Sequence, residues 1–454
     1  MGDEATAVPD DLCCFRGPFI HSTKLDPLVI SEDKLLGISK GKIIFIEDGA
    51  NEDSVRRRYN IDDDAIRVLS QGQVIIPGFI DTHIHASQYT YAGTNLDLGL
   101  LDWLEKYTFP TEALYKDLHF AKKHYQKVVE RVLSHGTTTA SYFATIHVDA
   151  TLALCDIIDK CGQRAYVGKV NMDQNSPKYY SEETRQSADD TEEFIKRVLE
   201  KSYKTITPII TPRFAPSCSR GLMEKLGDLA EKYDLPIQSH LSESRKECAW
   251  IKQLYPDSRD YTSVYHECKL LTKKTIMAHS IYLSDEELGL IKAQGVGVSH
   301  CPNSNLSIRS GLLDVRRLLD RGIKVGLGTD LAGGYHPSIM NAIQTAVHVA
   351  NTLSISHHGD EYNNIDFREA FRLATLGGAE VMGLENKIGN FEIGKEFDAL
   401  VIGWEMKRGP FEVFDHESLL DAFQKFLFLG DDRNIREVFV AGKQLVVKPE
   451  DTIT

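Results

Sequence analysis

Two histidines two residues apart, His83 and His85, close the apolar run Val74-Ile-Ile-Pro-Gly-Phe-Ile-Asp-Thr-His-Ile-His85, which reads as a β-strand. Side chains alternate along a strand, so both imidazoles project to one side and can share one ion. On its own such a pair is weak evidence. Four further β-like runs, however, end on His240, His279, His300 and Asp330. Three imidazoles and one carboxylate suit a divalent ion of borderline softness, zinc above all, with one position left for water. That ion lowers the pKa of its water to roughly 7, and a carboxylate and an imidazole beside it can relay the proton. We assign ligation to His83, His85, His240 and Asp330, with His279 held slightly back to hydrogen-bond the water. Glu243, three residues past His240, is not needed as a ligand. It is either a solvated carboxylate opening the next helix, where the helix dipole favours it, or a general acid facing the substrate. His300, before Cys301-Pro302, is expected to be an outer or core histidine.

These residues need a frame that gathers strand ends. Between residues 74 and 330, short β-rich runs alternate with longer amphipathic stretches, the pattern of βα units around a parallel sheet. Eight runs qualify as strands, starting at Val74, Thr137, Arg164, Ile206, Pro236, Thr275, Val296 and Lys324. The predicted fold is therefore α/β, a (β/α)8 TIM-type barrel with reactive residues at the C-terminal strand ends. Phe120–Gly136 has the apolar spacing of an outer helix. Leu35–Gly49 reads as a hairpin around Lys40-Gly41, and Lys395–Gly403 and Arg436–Val447 repeat that strand style. Neither flank alone buries a core, so the two are expected to form one small β-sandwich. The expected division is 1–73 for the first part of the sandwich, 74–387 for the barrel and 388–454 for the second part. The polar stretch Asp173–Glu193 reads as a solvated loop and helix start, or alternatively as a lid over the barrel mouth.

Length and charge narrow the partners. At 454 residues the chain exceeds one ordinary core. With 52 Lys+Arg against 66 Asp+Glu the net charge is −14, which repels phosphate backbones and anionic membranes and excludes nucleic acid as a partner. No apolar run approaches the ~18 residues of a membrane span. The acidic start MGDEATAVPDD lacks the apolar block of a secretion signal, which predicts a cytosolic protein. Met1-Gly2 with Thr6 fits a bare myristoylation pattern, opposed by Asp3 and Glu4. Eight cysteines without a Cys-x-x-Cys pair fit free thiols in a reducing compartment, where the Asn305-Leu-Ser307 sequon would go unused. The missing Cys-x-x-Cys also excludes zinc deaminases of the His-x-Glu type, and no P-loop or GxGxxG turn offers a nucleotide-cofactor site.

The set of motifs resembles the amidohydrolase superfamily and, within it, most closely the branch acting on guanine. The resemblance covers nearly the whole chain. It is carried by Thr82-His-Ile-His-Ala-Ser-Gln-Tyr89, Trp103-Leu-Glu-Lys-Tyr-Thr-Phe-Pro110, Thr211-Pro-Arg-Phe214, Gln238-Ser-His-Leu-Ser-Glu243, Met277-Ala-His279, His300-Cys-Pro-Asn-Ser-Asn305 and Gly328-Thr-Asp-Leu-Ala-Gly-Gly334. Ile388–Lys395 and Lys425–Asn434 add to it. It implies a homodimeric zinc enzyme that hydrolyses guanine to xanthine and ammonia in purine catabolism. Two-metal members bridge their ions with a lysine ending the fourth strand, where this chain has Thr211-Pro-Arg-Phe214. Lys169 in the third strand reads as a barrel-layer or surface lysine, so one ion per subunit is expected. The implied catalytic residues are Glu243, His279 and Asp330. The implied substrate contacts are His85, Ala86, Ser87, Gln88, Arg213, Phe214, His240, Glu243 and Asp330. Arg213 would donate to O6 of the base, Gln88 offers a donor and an acceptor to the purine edge, and Phe214 lies against the ring. The alternatives are another aminated heterocycle on the same site, of 8-oxoguanine or triazine type, or an amidohydrolase-like scaffold. The intact ligand set argues against an inactive scaffold.

Overall fold

The computed structural model describes residues 11–62, 65–358 and 362–448, so the myristoylation pattern at Met1-Gly2 lies outside the described residues. Both ends of the described chain meet in one eight-stranded sheet. Its order is Lys443–Val447, Ile435–Val440, Ala399–Gly403, Gln73–Pro77, Cys13–His21, Val29–Ser39 and Lys42–Asp48, with Ile66–Val68 beside Cys13–His21. The hairpin Val29–Ser39/Lys42–Asp48 turns at Lys40-Gly41, with φ of 50° and 75°. Two consecutive positive φ values match the twist of the flanking strands, as the sequence predicts. Phe15, Phe19, Leu36, Ile38, Val401 and Phe439, from strands of both chain ends, share one buried cluster. Neither end could close that core alone.

The run expected as one strand from Val74 to His85 is two strands. Pro77 offers no N–H to a ladder and Gly78 redirects the chain: Gly78 N donates to Asp398 O at 3.0 Å and Phe79 N to Gly136 O at 3.0 Å. A Cβ on Gly78 would sit 2.2 Å from Thr138 Oγ1, so the crossing requires glycine. Gln73–Pro77 therefore joins the terminal sheet, antiparallel to Ala399–Gly403, while Phe79–His85 begins the parallel set.

The parallel set comprises a sheet ordered Ile206–Pro208, Arg164–Gly168, Thr137–Phe143, Phe79–His85, a short pair Val170–Asn171 with Thr211–Pro212, and a sheet ordered Ile237–Leu241, Thr275–His279, Gly297–His300, Lys324–Leu327. The third and fourth expected runs are each split in two. Pro208 and Pro212 remove two ladder donors within five residues, which accounts for the gap in the fourth. Gln238 N donates to Ile210 O at 2.9 Å, and bridges pair Ile210 with Ile237 and Phe214 with His240. From the last strand back to the first, Thr82 Oγ1 donates to Leu327 O at 2.9 Å and Asp330 N to His83 O at 2.9 Å. Every residue of Phe79–His85, Thr137–Phe143 and Ile237–Leu241 is buried, as in parallel sheets covered on both faces.

Helices lie between these strands. Leu118–Ser134 starts where the Asp117 side chain accepts from His119 N and Phe120 N. It buries Ala121, Tyr125, Val128, Val129, Val132 and Leu133, one face at helical spacing. Within Asp173–Glu193 the chain makes a short turn at Lys178–Tyr180 and then enters helix Thr184–Lys201.

Candidate active site

Alternation along Phe79–His85 brings His83 and His85 to one side, with ring centroids 5.0 Å apart. His240 near the end of Ile237–Leu241 and Asp330 just past Lys324–Leu327 converge on them. One ligand atom from each of the four lies within 4.8 Å of the others. Asp330 Oδ1 is 3.2 Å from His83 Nε2 and 3.5 Å from His85 Nε2. His240 Nδ1–H donates to Arg213 O at 2.5 Å, which turns its Nε2 lone pair towards His85 Nε2, 3.1 Å away. His83 Nε2 is buried and makes no hydrogen bond. Lone pairs and a carboxylate facing one another in a dry site call for a cation, so the residues fit a zinc ion.

The electrostatics agree. Burial holds His85 and His240 well below the usual imidazole range, reinforced by the neighbouring histidines, so both are neutral donors of lone pairs. Burial opposes ionisation of Asp330, yet the imidazoles of His83, His279 and His85 hold its carboxyl below the usual carboxylate range. His279 stands back from the four. Its Nδ1–H donates to Asn305 Oδ1 at 2.8 Å, and its Nε2 faces Glu243 Oε2 at 3.5 Å and Asp330 Oδ2 at 3.7 Å. Burial lowers the pKa of His279, but the charges of Glu243 and Asp330 leave it raised overall. Glu243 is buried rather than solvated, accepts from Ser310 Oγ at 2.8 Å, and is pushed up to about 7 by burial. His279 and Asp330 adopt positive φ of 66° and 45°, backbone strain of the kind that collects at functional sites.

A cavity opens on this cluster. His85, Gln88, Arg213, Phe214, His240, Glu243, His279 and Asp330 line it, with Leu100, Trp103, Leu104 and Ile308 as an apolar wall. Of the sequence-predicted contacts, Ala86 and Ser87 are buried beside the cavity without lining it, and Ser87 Oγ donates to Ala144 O at 3.3 Å. His300 is fully buried with both ring nitrogens unpartnered, and burial lowers it to about 3. Lys169 is buried, not at the surface; it is ion-paired with Glu182 and does not line the cavity.

No pattern in the sequence singles out Glu112. It is fully buried and holds Arg213 by a two-pronged ion pair, Arg213 NH1 to Oε2 at 2.7 Å and NH2 to Oε1 at 3.2 Å. Gln88 Nε2 donates to Oε1 at 3.1 Å and Tyr180 OH to Oε2 at 2.7 Å. Arg213 thus forms an ion pair and lines the cavity as well. Glu112 sits in helix Phe109–Ala113 behind a π-turn, Leu104–Thr108, in which Phe109 N donates to Leu104 O. Pro110 cannot donate to the turn before it, and the widened turn rotates Glu112 inward. Nor does any pattern single out Asp81. It accepts from Thr329 N at 3.0 Å and from Thr329 Oγ1, pinning the first strand to the loop that carries Asp330.

The sequence pattern of the Amidohydrolase family matches residues 74–445. The chain belongs to this family. Guanine deaminase of Mus musculus is 49% identical to it over 448 residues, 97% of this chain and 98% of that one. Guanine deaminase of Homo sapiens is 49% identical over the same shares. Among solved structures, guanine deaminase from C. acetobutylicum with bound guanine in the active site matches with a TM-score of 0.87 at 39% identity, covering 96% of this chain and 100% of that one. As a member of the amidohydrolase family, the chain carries its His83, His85, His240 and Asp330 group at the ends of parallel strands.

Proposed function

We propose that the protein is a zinc-dependent guanine deaminase that hydrolyses guanine to xanthine and ammonia. The observation that carries this reading is one cavity that joins a four-ligand group to an Arg213–Gln88 pair suited to a purine edge. Similarity to guanine deaminases over 97% of the chain supports it. His83, His85, His240 and Asp330 would hold one ion per subunit, which supplies hydroxide near neutral pH by lowering the pKa of water to roughly 7. In the same reading the parallel set closes as a TIM-type barrel over about 79–387, because Gln73–Pro77, which the expected boundary at 73/74 would split, lies in the terminal sheet. The described residues before Gly78 and after 387 share a small β-sandwich around the cluster containing Phe15 and Phe439. The proposed assembly is a cytosolic homodimer acting in purine catabolism, as the resemblance implies.

Guanine is planar and neutral, and its C2 amino group must face the ligand group. Arg213 donates to O6, Gln88 meets the adjoining edge, and Phe214 lies against the ring. Glu243, raised to about 7, carries a proton near neutrality and gives it to N3. Asp330, with His279 beside its Oδ2, takes a proton from the attacking water as the C2–O bond forms. That proton passes to the amino group, the C2–N bond breaks, and ammonia leaves. The Glu243 carboxylate recovers a proton from the new C2 hydroxyl, giving the C2 carbonyl of xanthine. Adenine presents a donor where Arg213 needs an acceptor, leaving buried donors unpaired at a cost of about 1–3 kcal/mol or more.

Ammonia release from guanine, adenine, 8-oxoguanine and an aminotriazine tests the substrate. Guanine should lead by about tenfold or more over each of the others. A better rate with 8-oxoguanine or the triazine would replace guanine with that substrate.

A further inference from the structure

Glu112 has four donors on its two carboxylate oxygens: Arg213 NH1 and NH2, Gln88 Nε2 and Tyr180 OH. A carboxylate offers about four acceptor sites, so this one has none left for a ligand. Its effect must therefore pass through the side chains it holds, two of which, Arg213 and Gln88, line the cavity. Glu112 also settles which way the Gln88 amide points. A carboxylate can only accept, so the Gln88 atom 3.1 Å from Oε1 must be the nitrogen. The backbone N–H of Ala332 can only donate, and it meets Gln88 Oε1 at 3.3 Å. Two independent partners thus fix the amide, leaving one N–H and one oxygen lone pair of Gln88 free. Arg213, with two of its five N–H groups on Glu112, has three donors and no acceptor to offer.

We infer that Glu112 is a positioning residue that sets base specificity. It locks Arg213 as a donor beside Gln88 Oε1 as an acceptor, a pair complementary to the lactam edge of a 6-oxopurine, with acceptor O6 next to donor N1–H. The inference rests on the guanine reading above. A 2,6-diaminopurine carries the same C2 amino group but reverses that edge, with a donor at N6 and an acceptor at N1. Against it, the locked pair meets donor with donor and acceptor with acceptor. In Glu112→Gln the new amide brings an N–H₂ into a nest of donors, so Gln88 is free to turn over and Arg213 loses its two-pronged hold. Tyr180→Phe takes one donor from Glu112 without touching Arg213 or Gln88.

The test compares kcat/KM for guanine and for 2,6-diaminopurine on zinc-loaded protein, with zinc content measured alongside. Wild-type turnover of guanine establishes the underlying reading first, and its absence would overturn that reading. Given that turnover, Glu112→Gln should lose about 100-fold or more on guanine and less on diaminopurine, so that the preference falls by at least about tenfold. Tyr180→Phe should lower the same preference by about three-fold with zinc content unchanged, and it decides the matter if Glu112→Gln does not fold. A purely structural role would scale both substrates down together. Folded variants that keep the wild-type preference within about twofold would overturn the inference.

Discussion

At the scale of single residues, chemistry is set by burial as much as by identity. Glu105 lies in the π-turn Leu104–Thr108 and Glu243 two residues before helix Arg245–Leu254; Glu105 is exposed while Glu243 is buried and raised to about 7. Burial lets Glu243 hold a proton near neutral pH and deliver it to a ring nitrogen. Glu243→Gln removes that proton transfer while leaving all four proposed ligands in place. It should keep its zinc and lose about 10²–10⁴-fold in kcat on guanine. Near-normal turnover with zinc retained would remove Glu243 from the acid role. The group His83, His85, His240 and Asp330 was legible in the sequence because imidazole and carboxylate gathered at the ends of β-like runs are chemically specific. Glu112 was not. Nothing in Glu105-Lys-Tyr-Thr-Phe-Pro-Thr-Glu112 distinguishes its two glutamates, and the π-turn that rotates one inward has no spacing signature. Ser310 was missed for another reason: its contact with Glu243 spans 67 residues of sequence.

At the scale of elements, local signals and the meeting of the two flanks were readable, and the partner of each individual strand was not. The Lys40-Gly41 hairpin and the helix at Leu118–Ser134 follow from turn chemistry and helical periodicity, and both lie where the sequence places them. The run from Val74 looked continuous because its apolar residues continue through Pro77-Gly78. What divides it is a partner more than 300 residues away, since Ala399 pairs with Pro77 and Asp398 O accepts from Gly78 N. Alternation within a run carries no record of such a partner. The prolines at 208 and 212 were visible in the fourth run, and their loss of ladder donors is the physical reason that it forms two short pieces. This interruption has a functional consequence. The chain past Pro212 is freed to place Arg213 O against His240 Nδ1 and the Arg213 guanidinium against Glu112.

At the scale of the whole molecule, buried neutral histidines tie stability to pH. Burial lowers His21, His135 and His147 each to about 4 and His300 to about 3. In the unfolded chain all four titrate near 6.5. Folded pKa values below the unfolded ones mean that the unfolded state binds more protons in this range. Their contribution is full above pH 6.5 and is lost as pH falls towards about 4. The slope is up to about 1.4 kcal/mol per pH unit for each fully buried ring, less for the half-buried His21 and His147. Thermal unfolding of the zinc-free protein should show Tm dropping steadily from pH 6.5 to 4.5, and a flat profile would contradict the burial of these rings. The net charge of −14 fits a neutral free base better than a phosphorylated nucleotide, since an acidic surface offers phosphate no attraction. In the proposed function, His83, His85, His240 and Asp330 hold the ion that makes guanine hydrolysis possible. Xanthine formation from guanine, followed as zinc is returned to chelated protein, tests it most directly. No detectable xanthine is expected without metal, with a rise that saturates at one zinc per subunit. Undiminished turnover by the zinc-free protein, or no xanthine at full zinc occupancy, would contradict it.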